Sequence, residues 1–273
     1  MKKPNAPAAI PEIRPGQSIE LLQELHILTR DGKLNQDSRR KLKQVYHLVR
    51  FIEPLLADAE LLVDHGAGKS YLGFILYDLC IKKRASGQVI GIESRPELVA
   101  KSRELAARLD FPRMSFVACT VAEALASGEL PARADVVTAL HACDTATDDA
   151  IRFALDRQAR HIVLAPCCQA EVAAAMRAKK NAALGETPLS ELWRHPLHTR
   201  ELGSHLTNAL RCLLLEAHGY DVTVTELVGW EHSLKNELII ASRRGTPRKN
   251  ARERAEAILR EFRIEELATR FIY

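Results

Sequence analysis

The 273-residue chain has no apolar run approaching the roughly 20 residues that a membrane-crossing helix needs. An integral helical membrane protein is therefore not expected. Met1-Lys2-Lys3-Pro4-Asn5-Ala6-Pro7 is followed by no apolar stretch of the kind a secretory signal carries, so a cytoplasmic address is expected. The six cysteines are scattered, only Cys167 and Cys168 being adjacent, and do not resemble a disulfide framework. Two glycine signatures are also incomplete. An ATPase-type phosphate loop needs a glycine five residues before Gly68-Lys69-Ser70, where Val63 stands, and a dinucleotide fingerprint needs one at Tyr71. These gaps argue against ATP hydrolysis and against nicotinamide chemistry. What is present is the composition of an ordinary globular chain, 47% hydrophobic and 27% charged. That suffices for one α/β domain with extensions or two small domains.

The informative stretch is Leu61-Leu62-Val63-Asp64-His65-Gly66-Ala67-Gly68-Lys69-Ser70-Tyr71-Leu72. It reads as a buried strand, an acidic residue at its end, a tight glycine turn and the first turn of a helix. Gly66 and Gly68 permit positive φ and a close backbone approach to a ligand. A second short apolar strand, Val89-Ile90-Gly91-Ile92-Glu93, also ends in a carboxylate, which suits two neighbouring hydroxyls. The acidic-x-Gly-x-Gly turn resembles that of the class I methyltransferases. That resemblance implies S-adenosylmethionine as cofactor, the glycine turn under its methionine part and Glu93 on its ribose. Ser70 stands where many members have a third glycine. By the same resemblance, Asp64, His65, Gly66, Ala67, Gly68, Glu93, Ser94, Cys119, Thr120 and His141 are the expected cofactor contacts. The usual acidic residue is missing after the third strand, which leaves backbone amides at Cys119 and Thr120 to meet the adenine.

Along the chain, residues 1–17 carry four prolines and are expected to be a disordered lead-in. Residues 18–58 form a helical extension: a helix from Ile19 to about Thr29, a turn at Asp31-Gly32-Lys33, and a helix from about Ser38 with Leu42, Val45, Val49 and Ile52 on one face. This pair is expected over the carboxyl edge of the next domain. Residues 59–244 alternate strand and helix, with strands at 60–64, 88–93, 114–119, 135–140, 161–165, 222–228 and 237–241. The last two are joined by too few residues for a crossover helix and must be antiparallel. The expected fold is a seven-stranded, doubly wound, Rossmann-like methyltransferase sheet with an antiparallel last strand. A long irregular stretch is expected at 181–200, before a helix over 202–218, and a closing helix within 245–273.

Net charge is only +4, but residues 30–50 hold seven Lys/Arg against two Asp, and residues 243–260 seven against two Glu. Two basic ends on an acidic body suggest that the extensions hold a polyanion, although solvated helix faces fit equally well. Ligands of open α/β sheets lie at strand carboxyl ends. There stand His141-Ala142-Cys143-Asp144 after strand four and Pro166-Cys167-Cys168-Gln169 after strand five. With Leu140, Ala146-Thr147-Asp148 and His232-Ser233-Leu234-Lys235-Asn236, these motifs resemble a methyltransferase-like family related to the acceptor-stem tRNA 2′-O-methyltransferases, over roughly residues 40–242. Relatives often have glycine where this chain has Asp144.

His141, Cys143, Cys167 and Cys168 are the candidate catalytic residues. Several roles fit them: a cysteine nucleophile toward a pyrimidine, which requires a lowered thiol pKa; a zinc set, although the spacings match no known finger; a histidine that positions or deprotonates the acceptor; or tight packing beneath the cofactor. No metal is expected. Arg39, Arg40, Lys43, Tyr71, Lys235 and Asn236 are the candidate substrate contacts, with the Arg243-Arg244 to Arg254 segment as a second hold on phosphates. The function expected is methyl transfer to RNA, either tRNA or rRNA. A protein or small-molecule acceptor, or a cofactor-binding module without turnover, are the alternatives.

Overall fold

The structure is a computed structural model that describes residues 11–126, 130–140, 144–166, 170–183, 188–227 and 237–273. Seven strands, β1 (Leu61–His65), β2 (Gln88–Glu93), β3 (Met114–Ala118), β4 (Val136–Ala139), β5 (His161–Leu164), β6 (Tyr220–Glu226) and β7 (Glu237–Arg243), form one sheet in the order β3-β2-β1-β4-β5-β7-β6. β1 to β5 pair in parallel, and β7 runs antiparallel to both its neighbours. This is the doubly wound sheet that the sequence implies. Every residue of β1 is buried, because helices cover both faces of a central parallel strand. The edge strand β6 keeps one face in solvent and alternates.

Among the described residues, ten α-helices surround the sheet: α1 (Ile19–Glu24), α2 (Gln36–Ile52), α3 (Tyr71–Leu76), α4 (Pro96–Arg108), α5 (Val121–Ala126), α6 (Thr145–Asp156), α7 (Glu171–Ala183), α8 (Pro196–Ala217), α9 (Ala251–Glu261) and α10 (Ala268–Phe271). One apolar cluster joins α1, α2, α3 and α4 to the first face, through Leu22, Val49, Phe74 and Phe111. A second joins α6 to the other face through Ile151 and Phe153, and a third binds α7, α8 and α9 together around Met176, Leu210 and Leu259. The Asn35 side chain caps α2 by accepting from the Ser38 amide at 2.8 Å. α2 then buries Leu42, Leu48, Val49 and Ile52 and leaves Arg39, Arg40, Lys43 and Arg50 exposed.

Four expectations need correction. Residues 11–17 are not a loose lead-in: the Arg14 amide donates to the Tyr46 hydroxyl (3.0 Å), that hydroxyl donates to Gln17 (2.5 Å), and Arg14 pairs with Glu53 (2.9 Å). The helix after the glycine turn ends at Leu76 and passes into a π-helical turn, Tyr77–Ile81, whose buried Asp78 accepts from the Ser18 amide at 2.8 Å. α8 begins at Pro196, with proline in its first turn, so residues 196–200, expected to be irregular, are helical. The closing helix breaks at Arg263, where φ reaches +55°, and resumes as α10.

The two basic ends also separate. Because β7 runs against the parallel strands, Arg243 emerges at the edge opposite their carboxyl ends. Arg244 pairs with Asp221 (2.6 Å), Arg248 and Arg254 with Glu216 (2.5 and 3.8 Å), and Arg252 with Glu256 (3.5 Å). Four of the six cations in the Arg243–Arg254 segment are therefore engaged in ion pairs, away from the edge where ligands of such sheets bind.

Candidate functional site

β1 carries Asp64 and His65 to the carboxyl edge, and the chain then turns with φ of +64° at Gly66, +58° at Gly68 and +50° at Ser70. Glycine reaches this region without a Cβ clash, whereas Ser70 occupies the third such position as a serine. Its amide donates to the Ala67 carbonyl (2.7 Å), its carbonyl accepts from the Phe74 amide (2.9 Å), and its hydroxyl donates to Asp64 (3.4 Å). The turn thus follows a path suited to three glycines. It is also tied to β2: the Ala67 amide donates to the Ile92 carbonyl at 2.9 Å, and the Gly68 amide to Glu93 Oε2 at 2.7 Å. The carboxylate that ends β2 lies directly against the glycine bend.

Glu93 is buried, and Arg95 covers its outer side through Nε (2.8 Å), Nη2 (3.2 Å) and the backbone amide (3.1 Å). The Arg95 guanidinium holds the Glu93 carboxyl below the usual carboxylate range. Since the Arg95 side chain is 59% exposed, it reaches the carboxylate from solvent and has room to leave. Ser94 is exposed, its hydroxyl 3.4 Å from Glu93 Oε1. Asp64 faces inward. It accepts from the Thr138 hydroxyl of β4 at 2.8 Å, and burial pushes its carboxyl up to about 6. His65 is 4% exposed, lies 5.7 Å from the Phe153 ring, and has no hydrogen-bond partner for either ring nitrogen among the described residues; burial pulls it down to about 4.

Cys119 packs against the core under α6. Thr120 caps α5: its amide and hydroxyl donate to Glu123 (2.7 and 2.9 Å), and the Glu123 amide donates back to Thr120 (3.3 Å). The Thr120 amide expected at an adenine is therefore engaged in this cap. Tyr71, Leu140 and Leu227 close a cavity of about 300 Å³ with Val45 and Leu48 of α2. α2 does lie over the carboxyl edge. Arg39 pairs with Glu12 (3.0 Å), while Arg40, Lys43 and Arg50 are exposed and form no ion pair among the described residues.

His141, Cys143, Cys167, Cys168, Lys235 and Asn236 lie outside the described residues, as does Trp230. The strands that lead into the first four are neighbours, Ala139 of β4 facing Leu164 of β5 in register. Among the described residues no group of His, Cys, Asp or Glu is placed to hold a metal.

Sequence reading missed the groups that brace these loops. Asp144 has φ +51° and ψ −121°, a conformation that glycine adopts most easily. Its carboxylate accepts from the Ala170 and Glu171 amides at the start of α7 (3.0 and 3.4 Å), so one residue joins the chain after β4 to the chain after β5. Arg211 of α8, wholly buried, donates to the Asp144 carbonyl (2.8 Å), to Asn208 (3.2 Å) and to both oxygens of Asp148 (2.7 and 2.9 Å). The available signal was an arginine inside the apolar run Leu210-Arg211-Cys212-Leu213-Leu214.

A family model described as a methyltransferase domain matches residues 40–175, just under half of the chain. The glutathione S-transferase C-terminal domain-containing protein of Bos taurus is 23% identical over 236 residues, covering 77% of this chain and 34% of that protein. The chain therefore spans about a third of that relative's length. Two solved structures are similar: an rRNA methylase from Streptococcus thermophilus (10% identity, 72% of this chain and 96% of that one, TM-score 0.45) and the magnesium protoporphyrin IX methyltransferase of Synechocystis with bound SAH (15%, 82% and 93%, TM-score 0.46). At such identities and scores they add nothing to the fold already traced from the strands. The family match spans α2, the glycine turn, Glu93 and β1 to β5. Over these residues the chain is similar to a methyltransferase domain.

Proposed function

We propose that the chain transfers a methyl group from S-adenosylmethionine to RNA, either tRNA or rRNA. The residues present fit the donor on three counts. A glycine bend exposes backbone at Gly66, Ala67 and Gly68. A carboxylate stands 2.7 Å from the Gly68 amide and is covered on its outer side by the exposed Arg95 side chain. The two ring nitrogens of His65, buried beside the bend, have no hydrogen-bond partner among the described residues, and a polar ligand would bring one. Bound there, S-adenosylmethionine supplies an electrophilic methyl group on a sulfonium.

The chain's own residues have separate tasks in this reading. Glu93 accepts from the two ribose hydroxyls once Arg95 swings away, with Ser94 beside it. Asp64, turned toward Thr138 and Ser70, positions the bend and does not touch the ligand. Cys119 flanks the adenine, and Thr120 contributes through the start of α5. His141, Cys143, Cys167 and Cys168 sit beside the transferable methyl and align or deprotonate the acceptor. Lys235 and Asn236 bound the acceptor side.

The single observation that carries the choice of RNA is the set of exposed cations on α2, Arg40, Lys43 and Arg50, unpaired among the described residues and set beside the cavity at the carboxyl edge. Cations free of carboxylate partners are available to phosphates. The test is incubation with methyl-labelled S-adenosylmethionine and separate total RNA, protein and metabolite fractions. Label in RNA supports the reading, and label confined to either other fraction contradicts it.

A further inference from the structure

We propose that the cavity between α2 and the strand ends receives a single nucleobase turned out of the RNA, so that the methylated atom belongs to a base and not to the ribose. The proposal rests on the RNA reading above. It departs from the ribose acceptor implied by the resemblance to the 2′-O-methyltransferases.

The cavity is about 300 Å³, at the small end of ligand pockets, which suits one ring system better than a peptide or a macrocycle. Its walls are Val45 and Leu48 of α2, Ile75 of α3, and Leu140 and Leu227 just beyond β4 and β6, with Tyr71 as the aromatic member. A base presents a flat, weakly hydrated face to such walls and stacks on an aromatic. A ribose has no flat face to stack there and would set its hydroxyls mostly against leucines. The two polar groups at the cavity not already in an ion pair, Gln44 and the Tyr71 hydroxyl, can meet the edge of a base.

Helical spacing supplies the complementary charge. Arg40, Lys43 and Arg50 recur at intervals of three and seven and share one stripe of α2, while Lys41, Gln44, Val45 and Leu48 occupy the adjoining arc. A strand whose phosphates follow the stripe has its bases directed at the cavity. An electron pair of the base then takes the methyl carbon, the carbon–sulfur bonding pair stays on sulfur, and any displaced proton leaves to solvent.

The test has two arms. RNA labelled by the full-length protein with S-adenosylmethionine is hydrolysed to free bases and sugars; label leaving with a base is expected, and label on ribose overturns the proposal while leaving the RNA reading intact. Absence of label from all RNA overturns both. In the second arm Val45→Trp fills the cavity from α2, and Leu227→Trp fills it from the opposite wall should the first fail to fold. Calorimetric uptake of S-adenosylhomocysteine, unchanged from wild type, certifies the folded protein. Transfer to RNA is expected to fall at least about tenfold, with RNA affinity reduced less than about threefold. Wild-type transfer with a filled cavity overturns the proposal.

Discussion

Glu93 holds the Gly68 amide on one side and the Arg95 guanidinium on the other, and a ribose diol must displace the second contact without disturbing the first. A surface ion pair contributes about 0–1 kcal/mol. Arg95→Ala is therefore expected to tighten cofactor binding by up to about fivefold in a calorimetric titration. Glu93→Gln weakens it by about 10–100-fold, since hydrogen bonds to a charged group contribute roughly 1.5–3 kcal/mol. Tighter binding in neither variant, or equal binding in both, contradicts the proposed role.

The neighbouring pair Asp64 and His65 sets an acid response. Asp64 is raised from its usual value of 3.8 to about 6, so the folded state takes its proton first and gains relative stability as pH falls through 6 toward 3.8. His65 is lowered from 6.5 to about 4, so the unfolded state takes its proton first and the folded state loses relative stability as pH falls from 6.5 toward 4. Between pH 6 and 4 the two effects oppose each other. Asp64→Asn removes only the compensating one. Denaturant melts at pH 7 and 4.5 are expected to show the variant losing about 2 kcal/mol more on acidification than wild type. An equal loss in both proteins contradicts this coupling.

The residues found correctly from sequence were those whose backbone demands are local. Gly66 and Gly68 sit at positive φ, and Glu93 ends its strand where the apolar run stops. Arg95 was not legible as a partner of Glu93, because a positively charged residue two places along can as readily face solvent.

The helix α8 does more than cover the sheet. Through Arg211 it grips Asp148 and the Asp144 carbonyl, while Asp144 caps the start of α7, so three helices brace the segments after β4 and β5. Breaking a buried pair from one side leaves an uncompensated charge, at a cost of about 3–5 kcal/mol. Arg211→Ala is expected to lower stability by that amount in chemical denaturation. A loss below about 1 kcal/mol would show that the network bears little of the fold. Close packing of α7 on α8 is a second brace: a Cβ on Gly203 would stand 2.7 Å from Ala173 Cβ and 2.8 Å from its backbone. Gly203→Val must part the helices and is expected to cost about 1–3 kcal/mol.

The Arg211 contacts join residues more than 60 positions apart, and apolar periodicity carries no record of which charge meets which. The order of helices and strands was legible because parallel strands buried on both faces read as short apolar runs. The start of α8 was placed six residues late, although Pro196 marked its first turn.

Across the whole molecule, charge is divided between two edges of the sheet. Arg244, Arg248, Arg252 and Arg254 after β7 pair with Asp221, Glu216 and Glu256, whereas Arg40, Lys43 and Arg50 of α2 form no ion pair among the described residues. Composition revealed both basic clusters and could not tell them apart, because pairing depends on which carboxylates the fold brings near. RNA affinity is accordingly expected to fall with rising salt, and Arg40→Glu with Lys43→Glu to flatten that slope by about two phosphate contacts. Arg244→Glu at the far edge leaves the slope unchanged. Equal effects from the two edges would show that RNA does not approach across α2.

All of this depends on the glycine bend and the carboxylate of β2 forming one cradle. The decisive measurement is calorimetric titration of S-adenosylhomocysteine into the wild-type protein and into Glu93→Ala, each checked for an unchanged circular dichroism spectrum. One site per chain in the wild type, weakened at least about tenfold by the substitution, is the predicted result. No uptake by the wild type, or uptake that survives loss of the Glu93 carboxylate unchanged, would contradict it.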